Sequence, residues 1–151
     1  MSEQNGTVVR DYFEKVLNRH DWAASDELVD DVVDRSDRPG LLPRLECNRQ
    51  LAEMYFRAFP DLQVTIDDQV TEGDRVATRW TARGTHLGEF SGGIPPLPHL
   101  VGVHRVTPTG REVSISGIAV DIIAKGKIIE HFGVHDSLGM LRQIGVLPTT
   151  K

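Results

Sequence analysis

Asp136 is the residue whose setting best suits it to proton chemistry. It ends an apolar, strand-like run from Ile128. Alternate residues of a strand share a face, so Glu130, Phe132, Val134 and Asp136 are expected to point together. A carboxyl in an apolar pocket holds its proton to higher pH, because desolvation disfavours the anion. Such a group can exchange a proton with an enol or carbonyl oxygen, an assistance of about 10²- to 10⁴-fold. Asp136 also stands directly before Ser137, where a helix-capping carboxylate would stand. His131 and His135 are four residues apart, a spacing that would suit metal ligands on a helix. On a strand the same spacing is about 13 Å, too far to share an ion, so no metal site is expected. Asp121 lies among apolar strand residues and reads either as a second acid or as an outward-facing carboxylate.

Aromatic and apolar residues supply the walls. Trp80 sits on the apolar parity of its strand and reads as core or as cavity lining. Tyr12, Met54, Tyr55 and Phe59 face inward from helical stretches and carry the same two readings. His86, His99 and His104 lie in or near a long loop and are candidates for a pocket mouth. Cys47 reads as a small core residue. No P-loop, dinucleotide fingerprint or nucleophile elbow is present.

The elements that must position these residues follow from periodicity. Val8, Val9, Tyr12, Phe13, Val16 and Leu17 predict a first helix, with Asn5 or Thr7 as its cap. A second helix is expected over Trp22 to Val33, its acidic residues on a solvated face. A third is expected from about Arg44 to Phe59, ended by Pro60. After Pro60 the period changes to two. Leu62, Val64 and Ile66, then Val76, Thr78, Trp80 and Ala82, predict an antiparallel hairpin turning at Gly73-Asp74. Arg111 to Lys125 returns to strand character with apolar residues on both parities. A bulge at Gly117 would bring both sets to one side. Lys125-Gly126-Lys127 is the next turn. Ser137 to Ile144 predicts a short closing helix stopped by Gly145. Residues 88–110 are rich in proline and glycine, with Leu100 to Val106 as a short extended piece, and loops of this length in compact domains are commonly functional.

Composition sets the outer limits. The 151 residues predict one domain, 1–151. A formal charge of −5 argues against a nucleic-acid partner, which needs a basic face. No apolar run is long enough for a membrane span. One cysteine cannot form an internal disulfide, and the N-terminus lacks a signal-type apolar core, so a cytoplasmic location is expected. Helices first and antiparallel strands after make an α+β layout.

Several stretches resemble the SnoaL-like polyketide cyclase family. They are Phe59-Pro60-Asp61-Leu62, Glu72-Gly73-Asp74-Arg75-Val76, Arg79 to His86, Gly88-Glu89-Phe90, Pro108-Thr109-Gly110-Arg111, Gly126 to Phe132 with Asp136, and Leu138 to Gly145. The resemblance runs from the first helix to about Pro148. It implies an NTF2-like cone, with N-terminal helices packed on a strongly curved, mostly antiparallel sheet that encloses an apolar cavity. It implies cofactor-free closure of a ring in a polyketide-derived small molecule by aldol addition, with a concerted cycloaddition as the alternative if cavity shape does most of the work. The wider superfamily also holds hydroxylases, isomerases, epoxide hydrolases and non-catalytic binders, and fold alone does not choose among them.

In that frame Asp136 is the expected catalytic acid. Tyr12, Met54, Phe59, Trp80, His86 and Phe132 are the expected substrate contacts, and no cofactor is expected. A homodimer is expected, meeting through the outer sheet face that carries Arg79, Thr81 and Arg83. The sequence departs from the family pattern twice. Extra residues at about Leu97 to Thr107 suggest a lid over Gly92–Pro108. The aldol cyclases pair their acid with a histidine on the preceding strand, whereas Ala119 to Ile123 here offers only Asp121. That shifts the expected weight from acid–base chemistry to cavity shape.

Overall fold

The computed structural model describes residues 2–34, 45–91 and 105–147. Helix α1 spans Ser2–Asp11 and continues as a π-helical stretch, Tyr12–Asn18. Helix α2 is Trp22–Leu28, strand β1 Val29–Asp34 and helix α3 Leu45–Ala58. Strands β2 (Gln63–Glu72) and β3 (Arg75–Thr85) form the hairpin, and β4 (Phe90–Ser91) pairs with β5 (Arg105–Val106). Strands β6 (Glu112–Ala124) and β7 (Lys127–His135) lead into helix α4, Ser137–Gln143. The main sheet runs β1-β7-β6-β3-β2, antiparallel except for β1 on β7. This is the expected α+β cone with a mixed sheet.

Four expectations change. The first helix begins at Ser2, ahead of both expected caps; Asn5 instead reaches across to the carbonyl of Gly73. The second helix stops at Leu28. Asp21 caps its start, accepting from the Ala24 N–H at 3.1 Å, and Val29 is already extended. Val29–Asp34 leaves the helix to become an edge strand, as its valines favour once β7 offers a partner. Gly117 is not a bulge. Strand β6 pairs with β3 without a break from Glu112 to Ile122. Its odd residues, Val113 to Ile123, point inward throughout, so Ile118 is half exposed on the outer face. The segment expected to form a lid, with His99 and His104, lies outside the described residues apart from Arg105–Pro108. Of the extended piece expected over Leu100 to Val106, Arg105–Val106 is described and is a strand.

Two apolar clusters hold the fold. Met54, Ala58, Phe59, Phe90, Ile115, Met140 and Leu141 join α3 and α4 to one end of the sheet. Val9, Phe13, Val29, Val76, Ile123 and Ile128 join α1 to the other end. Val64 and Trp80 pack against both, so a gap remains between the clusters. Side-chain amides stand in for missing strand partners at the margins. Asn18 donates to the Val64 carbonyl and accepts from its N–H, covering part of edge strand β2. Gln143 does the same at Ser114, clamping α4 to β6.

Candidate active site

The gap between the clusters is a cavity of about 210 Å³ with mainly apolar walls. Three rows of paired residues run across β3, β6 and β7 beneath it. Trp80, Gly117 and His135 form one row, Thr78, Ala119 and Gly133 the next, and Val76, Asp121 and His131 the third. Gly117 is required by its neighbour: a Cβ there would lie 2.2 Å from Trp80 Cζ2. The indole therefore lies across β6 and approaches the His135 ring, with centroids 6.3 Å apart.

Two hydrogen-bonded sets of polar groups face the cavity. Asp121 is buried, its side chain 5% exposed, and Oδ1 is 2.6 Å from His131 Nδ1, whose side chain is 26% exposed. A carboxylate only accepts, so Nδ1 carries the proton and donates it, which leaves the Nε2 lone pair as the basic site of the ring. The second set is Tyr55 on α3 and His135 on β7. Tyr55 Oη lies 3.0 Å from His135 Nε2, and Ser137 Oγ lies 3.1 Å from the same nitrogen.

The residues singled out by sequence fall on different sides of this arrangement. Tyr12 and Trp80 line the cavity. Met54 and Phe59 are core residues outside the lining. His86 is completely buried, 5.5 Å from the Phe59 ring and 3.0 Å from Thr109 Oγ1 through Nδ1. Burial pushes its pKa below the ordinary histidine value, with a weaker opposing influence from the Gly88 backbone. Phe132 stands 44% exposed on the outer face. Asp136 is exposed and caps α4, accepting from the Gly139 N–H at 2.8 Å; it does not line the cavity. The capping alternative thus describes its place.

Asp121 points inward rather than outward, and His131 and His135 face the cavity with it. Asp121 had a usable signal: it continues the unbroken parity of Val113, Ile115, Ala119 and Ile123. The preceding strand carries Asp121 and no histidine, as its sequence indicates, and the histidine that meets Asp121 stands on the following strand. Among the described residues, no three His, Cys, Asp or Glu side chains converge as a metal site requires. No helix among them is long and apolar enough to cross a membrane.

Solved structures of the same fold are numerous. AclR from Streptomyces galilaeus, a proposed hydroxylase, is 28% identical with a TM-score of 0.81, over 100% of this chain and 87% of AclR. IdmH from Streptomyces antibioticus, a proposed polyketide cyclase, is 28% identical with a TM-score of 0.75, over 94% of this chain and 99% of IdmH. TsrD from Streptomyces laurentii shares the fold at 24% identity and a TM-score of 0.75, over 97% and 98% of the two chains. No curated protein matches the sequence. The sequence profile of one family matches residues 7–144, nearly the whole chain and every element from α1 to α4, and the chain belongs to that family, the SnoaL-like polyketide cyclases.

Proposed function

We propose that this protein closes a ring in a polyketide-derived small molecule by removing a proton beside a carbonyl, without a cofactor. The observation that supports this reading is the 2.6 Å pair of His131 and Asp121 in an apolar cavity. His131 Nε2 takes the proton. Asp121 fixes the ring and its tautomer and stabilises the imidazolium that forms, the division of labour of a histidine–carboxylate dyad. The enolate carbon then attacks a second carbonyl of the same molecule, and the oxygen there takes up a proton.

Magnitudes divide the work. Holding two ends of one chain in attack geometry is worth about 7–11 kcal/mol. Acid–base assistance of about 10²- to 10⁴-fold corresponds to about 3–5 kcal/mol. Shape therefore supplies the larger share, and the dyad selects the proton that moves. The 210 Å³ cavity is smaller than the roughly 300–1,000 Å³ of drug-sized sites, so it suits the segment that cyclises rather than a whole polyketide.

A small enolisable ketone tests the reading. The protein should accelerate exchange of the α-protons of 2-tetralone in D₂O, followed by NMR, and His131→Gln should abolish the acceleration. Wild-type exchange no faster than buffer would refute the dyad as a base. With pathway intermediates, a cyclised product is an isomer of its precursor or lighter by one water. A product heavier by one oxygen would instead support an AclR-like hydroxylation.

A further inference from the structure

We propose that Tyr55 is a second catalytic residue of this cavity, donating a hydrogen bond to the carbonyl oxygen that becomes negative as His131 takes the proton. The inference rests on the dyad reading and extends it to the oxygen end of the substrate. Tyr55 leaves α3 and crosses to the sheet, where its hydroxyl meets His135 Nε2 at 3.0 Å. Its ring is held on several sides, with centroids 5.5 Å from Phe90, 6.5 Å from Phe59 and 5.9 Å from His135. An aromatic hydroxyl fixed this way is preorganised, and preorganised donors lose nothing to reorientation when charge develops.

The two polar sets converge. A Cβ built on Gly133 would lie 2.9 Å from His131 Nε2, so the imidazole leans along β7 and rests over Gly133. Gly133 is two residues from His135, about 6.6 Å of strand. Of the row between them, Thr78, Ala119 and Gly133, the two residues that line the cavity are the small Ala119 and Gly133, which leaves space there for a ligand. In the proposed pose the substrate C–H bond lies above His131 Nε2 and its neighbouring carbonyl points toward Tyr55, the two residues lining the same cavity. In the tautomer with the His135 proton on Nε2, that nitrogen donates to Tyr55 Oη, and in the proposed complex Tyr55 gives its O–H to the substrate oxygen. A hydroxyl does both at once, and linked hydrogen bonds strengthen one another.

The proton and electron count closes. The C–H proton goes to His131 Nε2, and the C–H electron pair becomes the enolate double bond as the carbonyl pair moves onto oxygen. Tyr55 stabilises that oxygen and keeps its proton. When the new C–C bond forms, the first carbonyl is restored and the second carbonyl's oxygen takes the proton back from the His131 imidazolium. The substrate class is an enolisable ketone whose oxygen lies toward α3.

Naphthols of graded acidity and similar size mimic the enolate oxygen. Their affinities for the wild type, Tyr55→Phe and His131→Gln should be measured by calorimetry, beside 2-tetralone exchange. In the wild type, affinity should rise with naphthol acidity. Tyr55→Phe keeps the ring but should flatten that trend and weaken the most acidic naphthol about 10- to 100-fold, the range for a hydrogen bond to a charged group. A merely structural tyrosine would shift all affinities alike and leave the trend intact, which would overturn the proposal. So would a wild type that binds none of the naphthols. His131→Gln should keep the naphthol trend while losing exchange. Exchange undiminished in His131→Gln would overturn the dyad and leave the Tyr55 trend to be judged separately.

Discussion

Asp121→Asn is the sharpest perturbation of the dyad, because it changes charge and tautomer while leaving shape alone. Asp121 Oδ1 accepts from His131 Nδ1 at 2.6 Å and is nearly excluded from solvent. An asparagine can turn its amide toward Nδ1 and donate. Nδ1 then accepts, the ring proton moves to Nε2, and the position that should remove the substrate proton is already occupied. Where a dyad carboxylate has been replaced this way in a serine protease, the rate falls about 10⁴-fold. That is about 5.4 kcal/mol at 1.36 kcal/mol per factor of ten. Stability should change far less, since the swap removes a buried charge and conserves volume. The assay is 2-tetralone exchange by NMR with a thermal melt of the same sample. His131→Gln and the double variant complete a cycle, and the two losses should not add, because both substitutions disable one unit. Exchange within tenfold of wild type in Asp121→Asn, with the fold intact, would refute the oriented-base argument. Additive losses would refute the coupling.

Asp136→Ala should cost about 0.5–2 kcal/mol of stability through loss of the α4 cap, with 2-tetralone exchange unchanged; a collapse of exchange would return Asp136 to the chemistry. Ile118 and Phe132 are 50% and 44% exposed on the outer sheet face, and we expect a second copy of the chain to cover them. Phe132→Glu should then convert a dimer to a monomer in light scattering, whereas a monomeric wild type would reject the interface. His86 has a lowered folded-state pKa, so the unfolded chain binds its proton more readily. Its contribution is therefore complete above the unfolded value of about 6.5 and is lost as pH falls through that value toward the folded one. Urea midpoints from pH 8 to 5 should fall more steeply for wild type than for His86→Leu, and equal slopes would remove His86 as the cause.

Much of the scaffold is written locally. Helix α3 and the β2–β3 hairpin are legible because the period changes at Pro60 and the turn glycine, Gly73, has a positive φ of 59°. Strand β1 is not legible in the same way. Leu28, Val29, Val32 and Val33 fit a helical stripe as well as a strand, and the partner that decides, Ile128, is about a hundred positions away. At Gly117 apolar residues on both parities suggested a bulge. The actual reason is that this strand has two apolar faces, one around the cavity and one outside. A period-two pattern separates inside from outside only where the outside is polar.

The same ambiguity hides the site, through one extra residue. Along β6 and β7 the pairing starts as Ala124 with Lys127 and Ile123 with Ile128, then shifts so that Ile122 meets Glu130 and Asp121 meets His131. Ile129 is the residue left over. Before it, the even residue Ile128 points into the core. After it, the odd residues His131, Gly133 and His135 line the cavity while Phe132 turns outward. Counting inward from Ile128 without the shift places Glu130, Phe132, Val134 and Asp136 inside, which is the arrangement the sequence suggests. It would also set Asp121 opposite Glu130, two carboxylates facing each other on a buried surface, a destabilising pair. The shift replaces that repulsion with an imidazole and gives Asp121 a donor. The bulge is thus the event that assembles the dyad. It follows the turn at Lys125-Gly126 and the buried Ile128, and falls on Ile129; none of these is an acid or a base, so inspection of acids and bases alone could not locate it.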